Sequence, residues 1–514
     1  MPKFIDYNYN QMVMVPVAFD QQILTGTFEH SINYLVNHEL DLTIFHHRFK
    51  NDDNGRPAYD PAILLKIVLL AYSRGVTSSR KIEALCRENV VFMAISADSR
   101  PHFTTIADFI SSSAKEVSKL FHQVLMVCDR LGLIGKEMFA IDGCKLPSNA
   151  SKEWSGTKAD LQKKSEKIER AVGYMLKKHR EEDKKGARDE SMRQREEKQI
   201  ATLRKASHKI QKFLNENEDR QGISGKVVQS NITDNASAKM KTSHGVLQGY
   251  NGVAAVDGKH QVVVAAEAYG QGQEHGLLEP MLEKVRDNLS QGGDSDVLDG
   301  AKVLADSGYH STKTLEHLEA QGIDAYIADN AFRARDPRFQ TAARHKANEP
   351  VKPKAPKQRF SVEDFAVDLD DQTCTCPAGK TLWLKCEKAK IGQHVFMQFM
   401  GRQADCDNCP LRAQCLRSVK QKGARQVNVL LETLPKDKTK VGPIQRMKEK
   451  IDTALGRHTY SMRLGIVEPV FGNIRETLGL RRFSLRGKEK VDGQWKLMTM
   501  LHNIFKIHRY GWAV

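Results

Sequence analysis

Two short apolar runs along this chain end in the same way. Met138, Phe139, Ala140 and Ile141 lead into Asp142-Gly143, and Val303, Leu304 and Ala305 lead into Asp306. Runs of this length read as buried strands, each delivering an acid at its carboxyl end. Around Glu468 the period changes. Ile466, Val467, Val470, Phe471 and Ile474 recur at helical spacing, which predicts a helix bearing Glu468, with Arg475 about two turns further on. One Asp after a strand is commonly a turn or cap residue. Three acids so placed form a ligand set for hard divalent cations and point to phosphodiester chemistry.

The first 130 residues read as helical. From Pro61 the chain runs through Ile63, Leu64, Leu65, Ile67, Val68, Leu69 and Leu70, with Asp60 as N-cap and Pro61 in the first turn, so this helix should be largely buried. Ser78, Ser79, Arg80 and Lys81 open a second helix, and HFTTIADF opens a third. Such a succession fits either a helical bundle or a helix-turn-helix whose second helix reads DNA. Residues 151–218 are densely charged and carry Leu161, Ile168, Val172, Met175, Ile200, Leu203, Ile210 and Leu214 at helical spacing. They predict two antiparallel helices broken near Gly186, serving as spacer, dimer contact or DNA-end contact. Next, GYNGVAAVDGKHQVVVAAEAYG reads as a β-hairpin turning at Asp257-Gly258. A helix, the strand before Asp306 and a helix ended by Gly322 follow. Between about Arg333 and Gly456 the periodicity fails; EPVKPKAPKQR is a Pro and Lys linker leading into a cysteine cluster.

The charge adds a partner class. A net +16 over 514 residues, with a pI near 9.3, favours a polyanion, because Lys and Arg release counterions condensed on nucleic acid. No apolar run reaches the length of a membrane span and the first residues lack a signal-peptide pattern, which reads as a soluble intracellular protein. Of nine cysteines, six lie between Cys374 and Cys415. Cys374-x-Cys376 followed by Cys406-x-x-Cys409 and Cys415 resembles a zinc ribbon. Cys376, Cys406, Cys409 and Cys415 are the favoured ligands, because two of them begin Cys-Pro pairs, with Cys374 and Cys386 as substitutes.

These segments resemble the signatures of DDE-type insertion-sequence transposases. Tyr460, Arg463, Glu468 and Arg475 resemble the Tyr-Arg-Glu-Lys box around the last acid in one branch of that family, with Arg475 standing where Lys is common. GYNGVAAVD resembles the family's second strand, and the closing segment from Arg481 resembles its usual ending. The order of elements agrees with a ribonuclease H-like core. The resemblance implies an α/β fold: a helical DNA-binding domain over 1–130, a ribonuclease H-like core over 131–330 containing the hairpin 151–218, a linker and zinc-ribbon-like insertion over 331–456, and the rest of the core over 457–514. It implies Asp142, Asp306 and Glu468 as catalytic ligands of two Mg2+ or Mn2+ ions. Tyr460, Arg463 and Arg475 would position DNA, as would Arg80 and Lys81 on the N-terminal helices and the basic run of Arg481, Arg482 and Arg486. The implied partners are double-stranded DNA, as element ends and target, and a second copy of the chain, in prokaryotic cytoplasm at the nucleoid. A tyrosine-recombinase reading of Tyr460 lacks the fuller Arg and His set. The remaining rivals are a domesticated, non-catalytic DNA-binding protein and a ribonuclease H-like nuclease that cuts without joining.

Overall fold

The computed structural model of the protein describes residues 17–49, 57–183, 190–221, 225, 227–242, 245–290, 296–336, 359–392, 394–416, 423–433 and 442–511. The break expected near Gly186 and most of the Pro and Lys linker lie outside them. The chain forms two compact units. The first comprises residues up to Asn330 together with those from Arg446 onward, and the second spans Ala331 to Gln445.

In the first unit, helix α1 (Pro61–Ser73) starts as its sequence dictates, with the Asp60 carboxylate accepting from the Ala62 N–H at 2.7 Å. Its residues from Leu64 to Tyr72 are all buried, so it is a central helix rather than an amphipathic cover. Against it pack α2 (Ser79–Glu88) and α3 (Phe103–Ser112), and the amphipathic α4 (Ala114–Arg130) follows. The α/β layer follows: β1 (Met138–Pro147), the paired helices α5 (Lys158–Asp183) and α6 (Glu190–Glu216), β2 (Ala238–Thr242), β3 (Gly245–Asp257), β4 (Val263–Tyr269), α7 (Leu278–Leu289), β5 (Lys302–Ala305), α8 (Thr312–Ala320) and β6 (Asp324–Ile327). After the second unit the chain returns as α9 (Ala454–Gly472) and α10 (Lys488–Lys506).

The sheet order is β6-β5-β1-β3-β2, with β4 also on β3. β1, β5 and β6 run parallel, whereas β3 is antiparallel to β1, β2 and β4. This mixed α/β arrangement is consistent with a ribonuclease H-like core. The expected Asp-Gly turn lies between β3 and β4, and Asp257 accepts from the N–H groups of Gly135, Lys136 and Lys259 at 2.9–3.0 Å. α10 is buried almost all round because the sheet lies on one side and α4 on the other. A Cβ at Gly493 would come within 2.8 Å of Ala114, so only glycine permits that approach. Trp495, fully buried, donates its indole N–H to the Val253 carbonyl at 2.9 Å and stacks on Phe471 of α9. The last two helices are thereby fixed to the sheet.

α5 and α6 are antiparallel, since Ser165 bonds Ser207 at 2.8 Å while His179 lies against Glu196. Their inner end closes on Leu161, Ile210, Phe213 and Ile232. Among the described residues no helix is long and apolar enough to cross a membrane.

The second unit is a five-stranded antiparallel sheet of β7 (Ala366–Asp368), β8 (Thr373–Thr375), β9 (Thr381–Ile391), β10 (His394–Met400) and β11 (Gln426–Thr433), adjacent in that order. Its small core gathers Phe365, Cys374, Leu382, Met397, Phe399 and Val427. Cys374 is therefore a packing residue.

Candidate active site

β1 and β5 lie side by side with Ile141 opposite Ala305, so the next residue of each, Asp142 and Asp306, stands where β5 ends and β1 runs on to Pro147. Asp142 is nearly buried. Its carboxylate accepts from its neighbour Gly143 N–H at 2.7 Å and is ion-paired with Arg463 of α9. Burial pushes the Asp142 carboxyl up to about 6, the nearby Asp306 charge adds to the shift, and Arg463 opposes it. Asp306 caps the turn after β5, accepting from the Gly308 N–H at 2.8 Å.

Arg463 is itself 8% exposed, which places it inside the site rather than on an open surface, and its guanidinium lies 5.9 Å from the Tyr460 ring centroid. The Tyr460 hydroxyl is held above its ordinary value by burial, with Asp306 and Asp142 adding to the shift and Arg463 working against it. Tyr460, Arg463, Asp142 and Asp306 are thus one electrostatic group.

Glu468 sits elsewhere on α9. It is exposed and, with Arg475, acts on the Cys144 thiol. Cys144 is two residues beyond Asp142 on β1, a displacement of roughly 7 Å along a strand. Five helical positions separate Arg463 from Glu468, so the two point about 140° apart around the helix. This phase explains why Arg463, not Glu468, meets Asp142. Among the described residues no group of three or more His, Cys, Asp or Glu is placed to hold a metal ion. The expected three-acid cluster is therefore seen as a close pair with the third acid alongside.

One carboxylate near Asp306 escaped sequence reading. Glu274, in the loop between β4 and α7, is ion-paired with Lys145 of β1 at 3.4 Å and receives the Asn251 amide at 3.3 Å. A Cβ at Gly308 would fall 2.1 Å from its Oε2 and 2.9 Å from Asp306 Oδ1. Its setting, QGQEHG, offers neither strand nor helix periodicity to mark it.

The basic residues divide. Arg482 donates to the Ser148 carbonyl at 3.1 Å and Arg486 to that of Asn149 at 2.9 Å, just past the carboxyl end of β1. With Arg481, Lys152 and Lys209 they line two open grooves there. Arg481 is also paired with Glu476 at 2.7 Å. On α2, Arg80 and Lys81 are exposed, and Arg80 lies 4.4 Å over the Phe103 ring of α3.

In the second unit Cys376, Cys406, Cys409 and Cys415 line one cavity. Burial raises the Cys415 thiol, Arg425 opposes that, and the other three cysteines reinforce it. Cys386 lies on β9 outside this lining. Although four thiols share the cavity, no three are gathered as a metal site, so the zinc expectation lacks geometric support.

No match is found among curated proteins or among solved structures. Two family models do match: residues 17–112 fit a transposase domain (DUF772), and residues 375–508 fit a transposase DDE domain. The second match runs from the cysteine cluster through Glu468 and does not reach Asp142 or Asp306. Together these matches support a DDE transposase of the insertion-sequence kind.

Proposed function

We propose that this chain is a DNA transposase that binds the ends of an insertion element, hydrolyses phosphodiester bonds there, and joins the freed 3′-hydroxyl to target DNA. The observation that carries this reading is that Asp142, within β1, and Asp306, at the end of the adjacent parallel strand β5, follow paired residues of the two strands, beneath the helix that brings Tyr460, Arg463 and Glu468. A buried and a half-buried carboxylate side by side invite divalent cations, and two polar atoms nearby that have no hydrogen-bond partner among the described residues, Asn251 Oδ1 and Tyr309 Oη, fit a hydrated ion. Asp142, Asp306 and Glu468 would hold two Mg2+ or Mn2+ ions. Such ions supply charge neutralisation for the attacking and leaving oxygens.

In this reading Arg463 gives Asp142 its counter-charge, and Tyr460 and Arg475 orient a phosphate near the acids. The grooves lined by Arg481, Arg482 and Arg486 lie past the carboxyl end of β1, beyond Asp142 on the same strand, and would track the DNA backbone, while Arg80 and Lys81 would contact it from the N-terminal helices. Work on two ends implies a homodimer, acting at the nucleoid. The thiol-lined cavity of the second unit would take Zn2+ through Cys376, Cys406, Cys409 and Cys415 once their side chains rotate inward. Metal content near one zinc per chain tests that part, and protein purified without zinc in equal yield and stability would remove it.

A labelled element-end fragment incubated with target plasmid and Mg2+ decides the main reading. Joined product is expected from the intact chain and none from Asp142→Asn. Hydrolysis without joining would instead favour the nuclease, and DNA binding without cutting would favour the non-catalytic protein.

A further inference from the structure

We propose that Glu274 is a further metal-holding carboxylate of this site, an acid outside the Asp142, Asp306 and Glu468 set. The proposal rests on the divalent-cation reading above and assigns one more residue to it. Its first support is the approach to Asp306. Gly308 lies between the two carboxylates so closely that even one methyl group there would collide with Glu274 Oε2. Two carboxylates brought this near each other repel, and a cation between them would offset that repulsion.

The second support is independent of the acids. Asn251 is fully buried, and although its Nδ2 donates to Glu274, its Oδ1 has no hydrogen-bond partner among the described residues. Tyr309 is also fully buried, feels the charges of Asp142, Glu274 and Asp306, and has a hydroxyl with no partner among the described residues. A buried amide oxygen with no donor and a buried hydroxyl with no acceptor are rare in folded proteins. Water molecules bound to a cation donate to the first and can accept or relay for the second. Gly143 completes the recess, because any side chain there would meet the Asn251 amide at 2.6 Å.

Lys145 supplies the competing explanation. Its ammonium lies 3.4 Å from Glu274, so the acid could serve only to hold that lysine. The two roles respond differently to substitution.

The test is Mn2+ titration of the full-length chain, with free Mn2+ read by electron paramagnetic resonance. Glu274→Gln should weaken Mn2+ binding about tenfold, Glu274→Asp should recover part of the loss, and Lys145→Met should not weaken it. Glu274→Gln binding Mn2+ as the parent does, while Asp142→Asn loses it, would overturn this proposal and leave the reading with Asp142, Asp306 and Glu468 standing. Lys145→Met weakening binding as much as Glu274→Gln would also overturn it, since the acid would then act through the lysine. No saturable binding by the parent, or unchanged binding in Asp142→Asn, would remove both readings together. Thermal unfolding in chelator separates loss of the site from loss of the fold, and Glu274→Asp keeps the charge if the glutamine variant unfolds.

Discussion

Replacing Asp142 by Asn in the metal-free protein should remove a calculable part of the pH dependence of stability. In the folded chain burial and Asp306 push this carboxyl from an ordinary 3.8 to about 6 against the pull of Arg463. The folded state therefore holds the proton more tightly than the unfolded state. Below pH 3.8 the full contribution is present, and it is lost as pH rises through about 6. At about 1.4 kcal/mol for each tenfold change in proton affinity, the loss is about 3 kcal/mol. Asn cannot titrate, so the variant escapes it. Denaturant unfolding of both proteins in chelator, at intervals from pH 4 to pH 8, should show the variant gaining on the parent by up to about 3 kcal/mol, nearly all below pH 7. The absolute difference at any one pH also contains the altered Arg463 contact, so the change with pH is the quantity to read. A difference that stays flat across this range would refute the burial and charge crowding assigned to Asp142.

Other substitutions probe the surroundings. Arg463→Met should move the Asp142 titration above its parental position, because the guanidinium lowers it; an unmoved or lowered midpoint in the same pH series would contradict the pairing. Trp495→Ala should cost about 3–5 kcal/mol, as expected for deleting a large buried ring, and should weaken the anchoring of α9 through Phe471. Loss below about 1 kcal/mol in chemical unfolding would count against that packing. Glu267 is buried among Lys284, Lys488 and Lys496. Burial raises its carboxyl, but the three lysines prevail and hold it below the ordinary 4.5, so its contribution to stability should fade as pH drops through its lowered folded value. Glu267→Gln should destabilise by about 2–4 kcal/mol at neutral pH by leaving that charge cluster unmatched, and an acid unfolding profile identical to the parent's would argue against it.

Periodicity carries the core further than it carries the site. The strand end at Asp306, the Asp-Gly turn, the capped start of α1 and the helix around Glu468 each follow from local residue patterns, and the structure forms each of them, whereas β1 runs on through Asp142 to Pro147 because β3 pairs with it along that length. Pairing across hundreds of residues leaves no such mark. Nothing near Arg463 announces Asp142 as its partner, because the box that names it is read along the helix while the contact depends on rotation about the helix axis. Glu274 was missed for a related reason: it stands in a loop, and its meaning comes from the missing side chain at Gly308. The second unit's sheet was also hidden. Thr381–Ile391 is largely exposed, so Lys and Glu alternate with few core positions, and the small core gives too few apolar signals. Cys374 was read as a possible metal ligand because sequence spacing cannot tell a thiol in a core from one facing a cavity.

Anomalous scattering from crystals grown with Mn2+ and element-end DNA tests the central claim most directly. Manganese peaks within coordination distance of Asp142 and Asp306, with Glu468 drawn alongside, are the expected result. Manganese bound elsewhere while Asp142 stays paired with Arg463 would contradict the account.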